Sequence, residues 1–276
     1  MNKKQNSVQQ ELQRFKADCR LLKLKLLETN YQQYIDEANG APPMGFFEFL
    51  WNAIHKEADN RREEQADYRT VRSCLPKPLK TLGDFDFDFQ PKLNKKLIME
   101  LASLRFMEHH ESILLTSKNN GVGKSHIARA IALIACQQGY TTLYTTCAEL
   151  ISDLNLGVYE KTLDKRIRKY INPQLLLLDE VGHDRLQLEI VKESHLLFKV
   201  INRRYNDNKS MIFTTNLAEP DWADFLGDPL TTKAILDRIY HHSVIVKIEG
   251  SSYRRHESDK LQKEYIGEQQ TASDNE

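Results

Sequence analysis

At 276 residues, with 39 Lys plus Arg against 39 Asp plus Glu, the chain has room for one sizeable core and a smaller accessory unit, and it carries no net charge. Without a global positive field, any affinity for nucleic acid must come from local basic patches. No apolar run approaches the roughly 18 residues of a membrane helix, and Cys19, Cys74, Cys136 and Cys147 are scattered without a CxxC pair behind a polar, lysine-bearing start, so a reduced, cytosolic protein outside the membrane is expected.

From about Gln9 to Ala38 the apolar residues Leu12, Phe15, Cys19, Leu22 and Leu26, then Tyr31, Tyr34, Ile35 and Ala38, recur mostly at three- and four-residue steps, which predicts an amphipathic helical region. The segment NGAPPMG breaks it. Phe46, Phe47, Leu50, Trp51 and Ile54 then open a second helix that runs on through a charged stretch with Arg61, Arg62, Arg69 and Arg72 and stops before Pro76. Residues 1–75 therefore read as a small all-α domain. CLPKPLKTLGDFDFDFQP has three prolines and no helical period, which places a linker at 76–90. Its alternating aromatics are expected to pack the linker onto the core, with one near an adenine.

Beyond the linker the pattern alternates: a helix near 93–108, strand SILLTS, helix 124–138, strand TTLYTT, a helix near 148–155, strand LLLLD, a long helix near 188–206, strand MIFTTN, a helix near 229–240 and strand SVIVKI. Short β-rich runs alternating with helices imply an α/β core over 91–257, its mostly parallel sheet sandwiched by helices. The polar segment 258–276 is expected to fray.

The main chemical signal is SILLTSKNNGVGKSHIARAIALIA, a strand running into a glycine-rich turn and then a helix starting at Lys124. Residues Asn120, Gly121, Val122, Gly123, Lys124, Ser125 and His126 are the candidate phosphate loop. Its two glycines let backbone amides turn inward around phosphate oxygens, Lys124 supplies a point charge, Ser125 offers a hydroxyl to magnesium, and the helix N-terminus adds its partial positive charge. Lys118 departs from the GxxxxGK[ST] pattern, which has glycine there, and its β-carbon is expected to strain the loop entry.

The second signal is QLLLLDEVG, an apolar strand ending in Asp179 and Glu180. Ligands of open α/β sheets sit at the carboxyl edge of the strands, where Asp179 is expected to hold the magnesium shell and Glu180 to orient or deprotonate an attacking water. Next in order, MIFTTN ends in Asn216, whose amide can hold that water or the γ-phosphate. Arg203 with Arg204, Arg238, and Arg254 with Arg255 are candidates to neutralise phosphoryl charge, in cis or from a neighbouring subunit, or else plain surface charges. The pairs His109-His110 and His241-His242 have no Cys or acid at ligand spacing and do not read as a metal site.

Taken in order, LGDFDF, GVGKSHIARAI, LLLLDEVG, INRRY, MIFTTN, DWADFLGDP, AILDRI and EGSSYRR resemble the IstB family of transposition helper ATPases, relatives of the DnaC helicase loaders. The likeness runs from roughly Leu22 to Arg255. It implies a bacterial cytoplasmic protein with a P-loop AAA+ core, ATP and Mg2+ held between subunits of a homo-oligomer, assembly on duplex DNA, and recruitment of a partner transposase. By position, Lys124 and Ser125 match the Walker A pair, Asp179 and Glu180 Walker B, Asn216 sensor one, Arg238 an arginine finger reaching a neighbour's ATP, and Arg254 the sensor-two arginine. Lys23, Lys25, Arg61, Arg62, Arg69 and Arg72 are candidate DNA-phosphate contacts or a plain solvated face. A helicase loader, or an ATP-binding DNA scaffold with little hydrolysis, are the competing readings.

Overall fold

The computed structural model describes residues 2–40, 42–182 and 193–273. The chain divides into two compact units, Met1–Tyr68 and Arg69–Glu276, so the division falls seven residues or so before the position expected from the prolines.

In the first unit the expected single helical region is two helices, α1 (Asn2–Leu22) and α2 (Lys25–Ala38), separated where Lys23 takes a left-handed φ of 60°. The third helix, α3 (Phe46–Arg72), begins in this unit. Among the described residues of the first unit, Cys19, Tyr34 and Ala53 are the buried apolar ones. Glu57 of α3 is also buried, and its carboxylate accepts a hydrogen bond from the Leu27 amide at 2.6 Å. An anion thereby meets the amides in the first turn of α2, where the helix dipole favours it.

The second unit holds the α/β core. Short helices α4 (Lys95–Ala102) and α5 (Arg105–Glu108) replace the one helix expected there, because Leu104 between them is left-handed at φ 63°. Then follow β1 (Ser112–Thr116), α6 (Lys124–Gln137), β2 (Thr142–Thr146), α7 (Cys147–Tyr159), α8 (Leu163–Ile171), β3 (Leu175–Val181), α9 (Glu193–Asn206), β4 (Met211–Thr215), α10 (Trp222–Leu226), α11 (Pro229–His241), β5 (Ser243–Lys247) and α12 (Tyr253–Ser273). Residues 188–192, expected to open α9, lie outside the described part. The segment from Ser258, expected to fray, is helical as far as Ser273.

Among the described residues, five strands pair in parallel, in the order β2-β3-β4-β1-β5. Side chains alternate across a strand, and here both faces are covered. Ile113, Leu115, Leu177 and Ile212 pack with Ile127 and Ile131 of α6 on one face; Leu114, Leu176, Leu178 and Phe213 pack with α7, α9 and α11 on the other. This explains why LLLLD reads as a continuous apolar run with no alternation. Leu82, Phe85 and Phe87 of the proline-rich segment lie against the α6 face.

The opposite end of the sheet is tied by Arg204, which is fully buried. Its guanidinium donates to the carbonyls of Tyr170 (2.8 Å), Pro173 (2.8 Å), Gln174 (3.1 Å) and Ser210 (2.7 Å), all just ahead of β3 and β4. Arg204 therefore serves the fold and lies at the amino ends of the strands, not at the carboxyl edge where phosphoryl chemistry was expected. Arg203 is spent on Asp207 on the surface of α9. Replacing Arg204 by Met removes four donor contacts, that to the buried Tyr170 carbonyl among them. It is expected to lower unfolding free energy by about 3 kcal/mol or more in a denaturant titration, while Arg203→Met stays within about 0.5 kcal/mol of wild type.

Candidate nucleotide-binding site

Strand parity fixes the floor of the site. Leu175 and Leu177 face α6, so Asp179, two residues on, faces α6 as well, and so do Tyr144 of β2 and Thr214 of β4. On α6, Ser125 and Arg129 stand one turn apart and present both side chains to this carboxylate. Asp179 is fully buried. Its Oδ1 accepts from Ser125 Oγ at 2.8 Å and from Thr214 Oγ1 at 2.5 Å, and its Oδ2 accepts from Arg129 at 2.9 Å and from Tyr144 Oη at 3.1 Å. Burial and the neighbouring carboxylate push the Tyr144 phenol far above its ordinary value, so it remains a donor.

Glu180 is aimed by a break in the ladder. The register between β3 and β4 shifts between Leu178 and Val181, and Glu180 takes a left-handed φ of 59° while its amide donates to Thr214 Oγ1 at 2.9 Å. A bulge of this kind re-aims a side chain, and the left-handed backbone of a non-glycine residue costs about 1 kcal/mol or more. The side chain is exposed and lines a cavity of about 470 Å³. Asn120, Gly121, Val122, Gly123, Lys124, Ser125 and His126 line the same cavity, together with Asn216 and Arg254.

The loop itself is built on two glycines. Gly121 and Gly123 have φ of 74° and 105°, and a β-carbon would come within 2.3 Å of Ser252 Oγ at the first and 2.4 Å of the Phe85 ring at the second. Left-handed backbone and close neighbours together exclude a larger residue at either position. Lys118 is not among the residues with left-handed backbone, and its side chain is exposed. The expected strain at the loop entry is therefore absent, since glycine's freedom is not used at that position.

Lys124 is 8% exposed and donates to the Asn119 carbonyl at 3.0 Å. Burial pushes its amine down to about 8; Asp179 opposes the fall and the positive charge of Arg254 adds to it. Lys124 and Arg254 thus face the same cavity as the loop, an arrangement suited to a polyphosphate. Ser125 Oγ and the buried Asp179 carboxylate are hard oxygen donors 2.8 Å apart, a set that suits a magnesium ion sharing its shell with phosphate and water. Phe85 and Phe89 also line the cavity, Phe85 packed edge-on to His126 and Phe89 edge-on to Tyr253.

Asn216 donates to Asn120 Oδ1 at 2.6 Å, which joins the end of β4 to the loop. Arg238 is not in this cavity. Its guanidinium reaches Asn202 Oδ1 at 2.7 Å and the Ala234 carbonyl at 2.8 Å, with the Phe198 ring 5.0 Å away. Of the basic residues considered for DNA in the first unit, Lys25 pairs with Glu64 at 2.7 Å and Arg62 with Asp59 at 2.7 Å. Arg69, in the second unit, donates to the Cys136 carbonyl at 2.8 Å. Sequence reasoning overlooked Arg129, Tyr144 and Thr214. Arg129 and Tyr144 look like ordinary helix and strand residues until parity places them beside Asp179.

A parallel α/β sheet with a glycine loop, a buried lysine and an acid pair at its carboxyl edge defines a P-loop nucleotide-binding protein of AAA+ architecture. The fold agrees with solved structures: DnaI matches with a TM-score of 0.53 at 20% identity over 64% of this chain and 95% of that one. AMPPCP-bound DnaA from Aquifex aeolicus matches with a TM-score of 0.50 at 21% identity over 69% and 56%. The model of the family described as IstB-like ATP binding protein matches residues 17–261, and the chain belongs to that family. It is 34% identical over 239 residues to a protein named for ATP binding in insertion sequence IS21 of Pseudomonas aeruginosa, covering 87% of this chain and 88% of that one. It is 33% identical over 242 residues to the corresponding protein of IS232 from Bacillus thuringiensis subsp. berliner, covering 88% and 94%.

The loop geometry sets a contrast between two substitutions. Gly123→Ala drives a β-carbon into Phe85 and is expected to weaken binding of a fluorescent ATP analogue at least tenfold, with a lower melting temperature. Lys118→Gly removes an exposed side chain at an unstrained position and is expected to leave that affinity within about twofold of wild type.

Proposed function

We propose that this protein is an ATP-dependent transposition helper that assembles on duplex DNA, recruits or activates a partner transposase, and uses ATP hydrolysis to disassemble. The observation that carries the reading is the convergence of the phosphate loop, Glu180, Asn216 and Arg254 on one cavity, with Asp179 hydrogen-bonded to Ser125 beneath it, in a member of the IstB-like family. Relatives at 30% identity or above, covering most of both chains, are named for insertion sequences. That favours transposition over helicase loading, with which this chain shares a fold.

In this reading the loop amides and Lys124 hold the β- and γ-phosphates, with Ser125 and Asp179 holding magnesium, which supplies charge neutralisation at the phosphates. Glu180 takes a proton from water as its oxygen bonds to the γ-phosphorus, and the bond to the bridging oxygen of ADP breaks. Asn216 orients that water once it leaves Asn120, and Arg254 balances the charge gathering on the phosphoryl oxygens. Arg238 acts on the ATP of a neighbouring subunit, leaving Asn202 and Ala234 to do so; ATP then bridges subunits, and assembly depends on it. Grip on DNA runs through phosphates, because a protein that loads at many sites cannot depend on base edges. Hydrolysis is slow and is stimulated by DNA.

ATPase rate and sedimentation with and without duplex DNA test the reading. Wild type is expected to form ATP-dependent oligomers on DNA and Lys124→Ala to form none. Glu180→Gln should bind nucleotide normally with turnover reduced about 100-fold or more. Arg238→Ala is expected to bind ATP as wild type does but to lose hydrolysis; equal rates in the two would exclude action across subunits. A protein that assembles with ATP yet never hydrolyses it on DNA would be the scaffold of the competing reading.

A further inference from the structure

Of the four side chains that donate to the Asp179 carboxylate, Ser125, Arg129, Tyr144 and Thr214, Arg129 is the charged one. A single guanidinium nitrogen donates to Asp179 Oδ2 and to Tyr144 Oη, both at 2.9 Å, and Tyr144 donates to the same carboxylate oxygen. The Arg129 side chain is 25% exposed where Asp179 is wholly buried, and Arg129 itself lies on the cavity wall. Its Nε is buried without a hydrogen-bond partner, so the side chain is held by Asp179 and Tyr144 and not by a network of its own. Burial alone would push the guanidinium down, yet the adjacent carboxylate carries it above its ordinary value.

With Ser125 and Thr214 on Oδ1 and Arg129 and Tyr144 on Oδ2, every face of the carboxylate has a donor, but only Arg129 brings charge. A buried, unpaired carboxylate beside Glu180 would repel an incoming polyphosphate strongly in a medium less polar than water. The guanidinium cancels that charge before any metal does.

We propose that Arg129 is a positioning residue that neutralises Asp179 from within the protein, so that nucleotide can bind before magnesium and the metal adds less to affinity than the acid pair alone would demand. The inference rests on the magnesium and ATP reading above. A guanidinium and a divalent cation are then partly interchangeable at this carboxylate, Arg129 on Oδ2 and the metal on the Oδ1 side with Ser125.

The test is the affinity of the full chain for a fluorescent ATP analogue in excess magnesium and in EDTA, the ratio of the two being the coupling factor. Arg129→Gln and Arg129→Met are expected to raise that factor roughly tenfold, the loss falling on the EDTA side. Arg129→Lys should return it to within about twofold of wild type, and Tyr144→Phe, which removes a donor but no charge, should leave it unchanged. Asp179→Asn is the complementary arm and does not depend on the neutral Arg129 variants folding: it frees the Arg129 charge and should tighten binding in EDTA severalfold. A wild-type factor in folded Arg129→Gln or Arg129→Met, or unaltered EDTA binding in Asp179→Asn, overturns the proposal and leaves Arg129 a packing residue. Wild-type binding that magnesium does not strengthen at all would overturn the metal reading itself, a separate and distinguishable outcome.

Discussion

The buried carboxylate of Asp179 is the constraint on which the rest of the site depends. A charge wholly removed from water is tolerated only if its oxygens are hydrogen-bonded and its charge opposed, and the structure meets both conditions with four side chains from three elements: Ser125 and Arg129 of α6, Tyr144 of β2 and Thr214 of β4. Satisfying one carboxylate thereby fixes the angle of the phosphate-loop helix against three neighbouring strands. The side-chain parity of β3 makes this possible, since the residues that bury Leu175 and Leu177 against α6 must also turn Asp179 toward it.

The same parity would send Glu180 to the α7 and α9 face, where it would be buried without a partner. The bulge after Leu178 and the left-handed backbone at Glu180 avoid that outcome by turning the side chain to the cavity instead. A local cost of about 1 kcal/mol or more is small beside the several kcal/mol of an unpaired buried carboxylate. Adjacent acids thus come to differ sharply in environment, one enclosed and neutralised, the other exposed and free to accept a proton, and the roles proposed for them follow from that difference.

Much of this was legible in the sequence, and the exceptions have physical causes. The five strands and the loop announce themselves because apolar runs and glycine spacing are local properties. Lys23 and Leu104 break helices that periodicity drew as continuous, because a single left-handed residue leaves the apolar spacing undisturbed. Helix α8 was passed over since LDKRIRKYI buries only Tyr170, which donates to Asp153 at 2.7 Å, a contact with another helix that no local pattern records. Arg204 read as a possible phosphoryl-transfer arginine because a sequence does not say at which end of a strand a helix residue arrives. Lys118 read as a defect because the motif prescribes glycine there, whereas the backbone at that residue never enters the region that needs one.

Charge, finally, links folding to ligand at this site. Folding brings Lys124 out of water and beside Arg254, and both effects disfavour its charged form. A polyphosphate placed between the two cations reverses the balance, because each then gains an opposite charge in the same low-dielectric cavity. The fold has therefore stored an unfavourable arrangement of cations that an anion of matching shape relieves, and that relief adds to the hydrogen bonds of the loop amides. Arg129 does not share in this tension, since Asp179 already satisfies it. Among the cations that line the cavity, Lys124 and Arg254 are thus set against each other while Arg129 answers the protein's own acid, a division of charge that would let a buried carboxylate and a nucleotide phosphate occupy neighbouring positions.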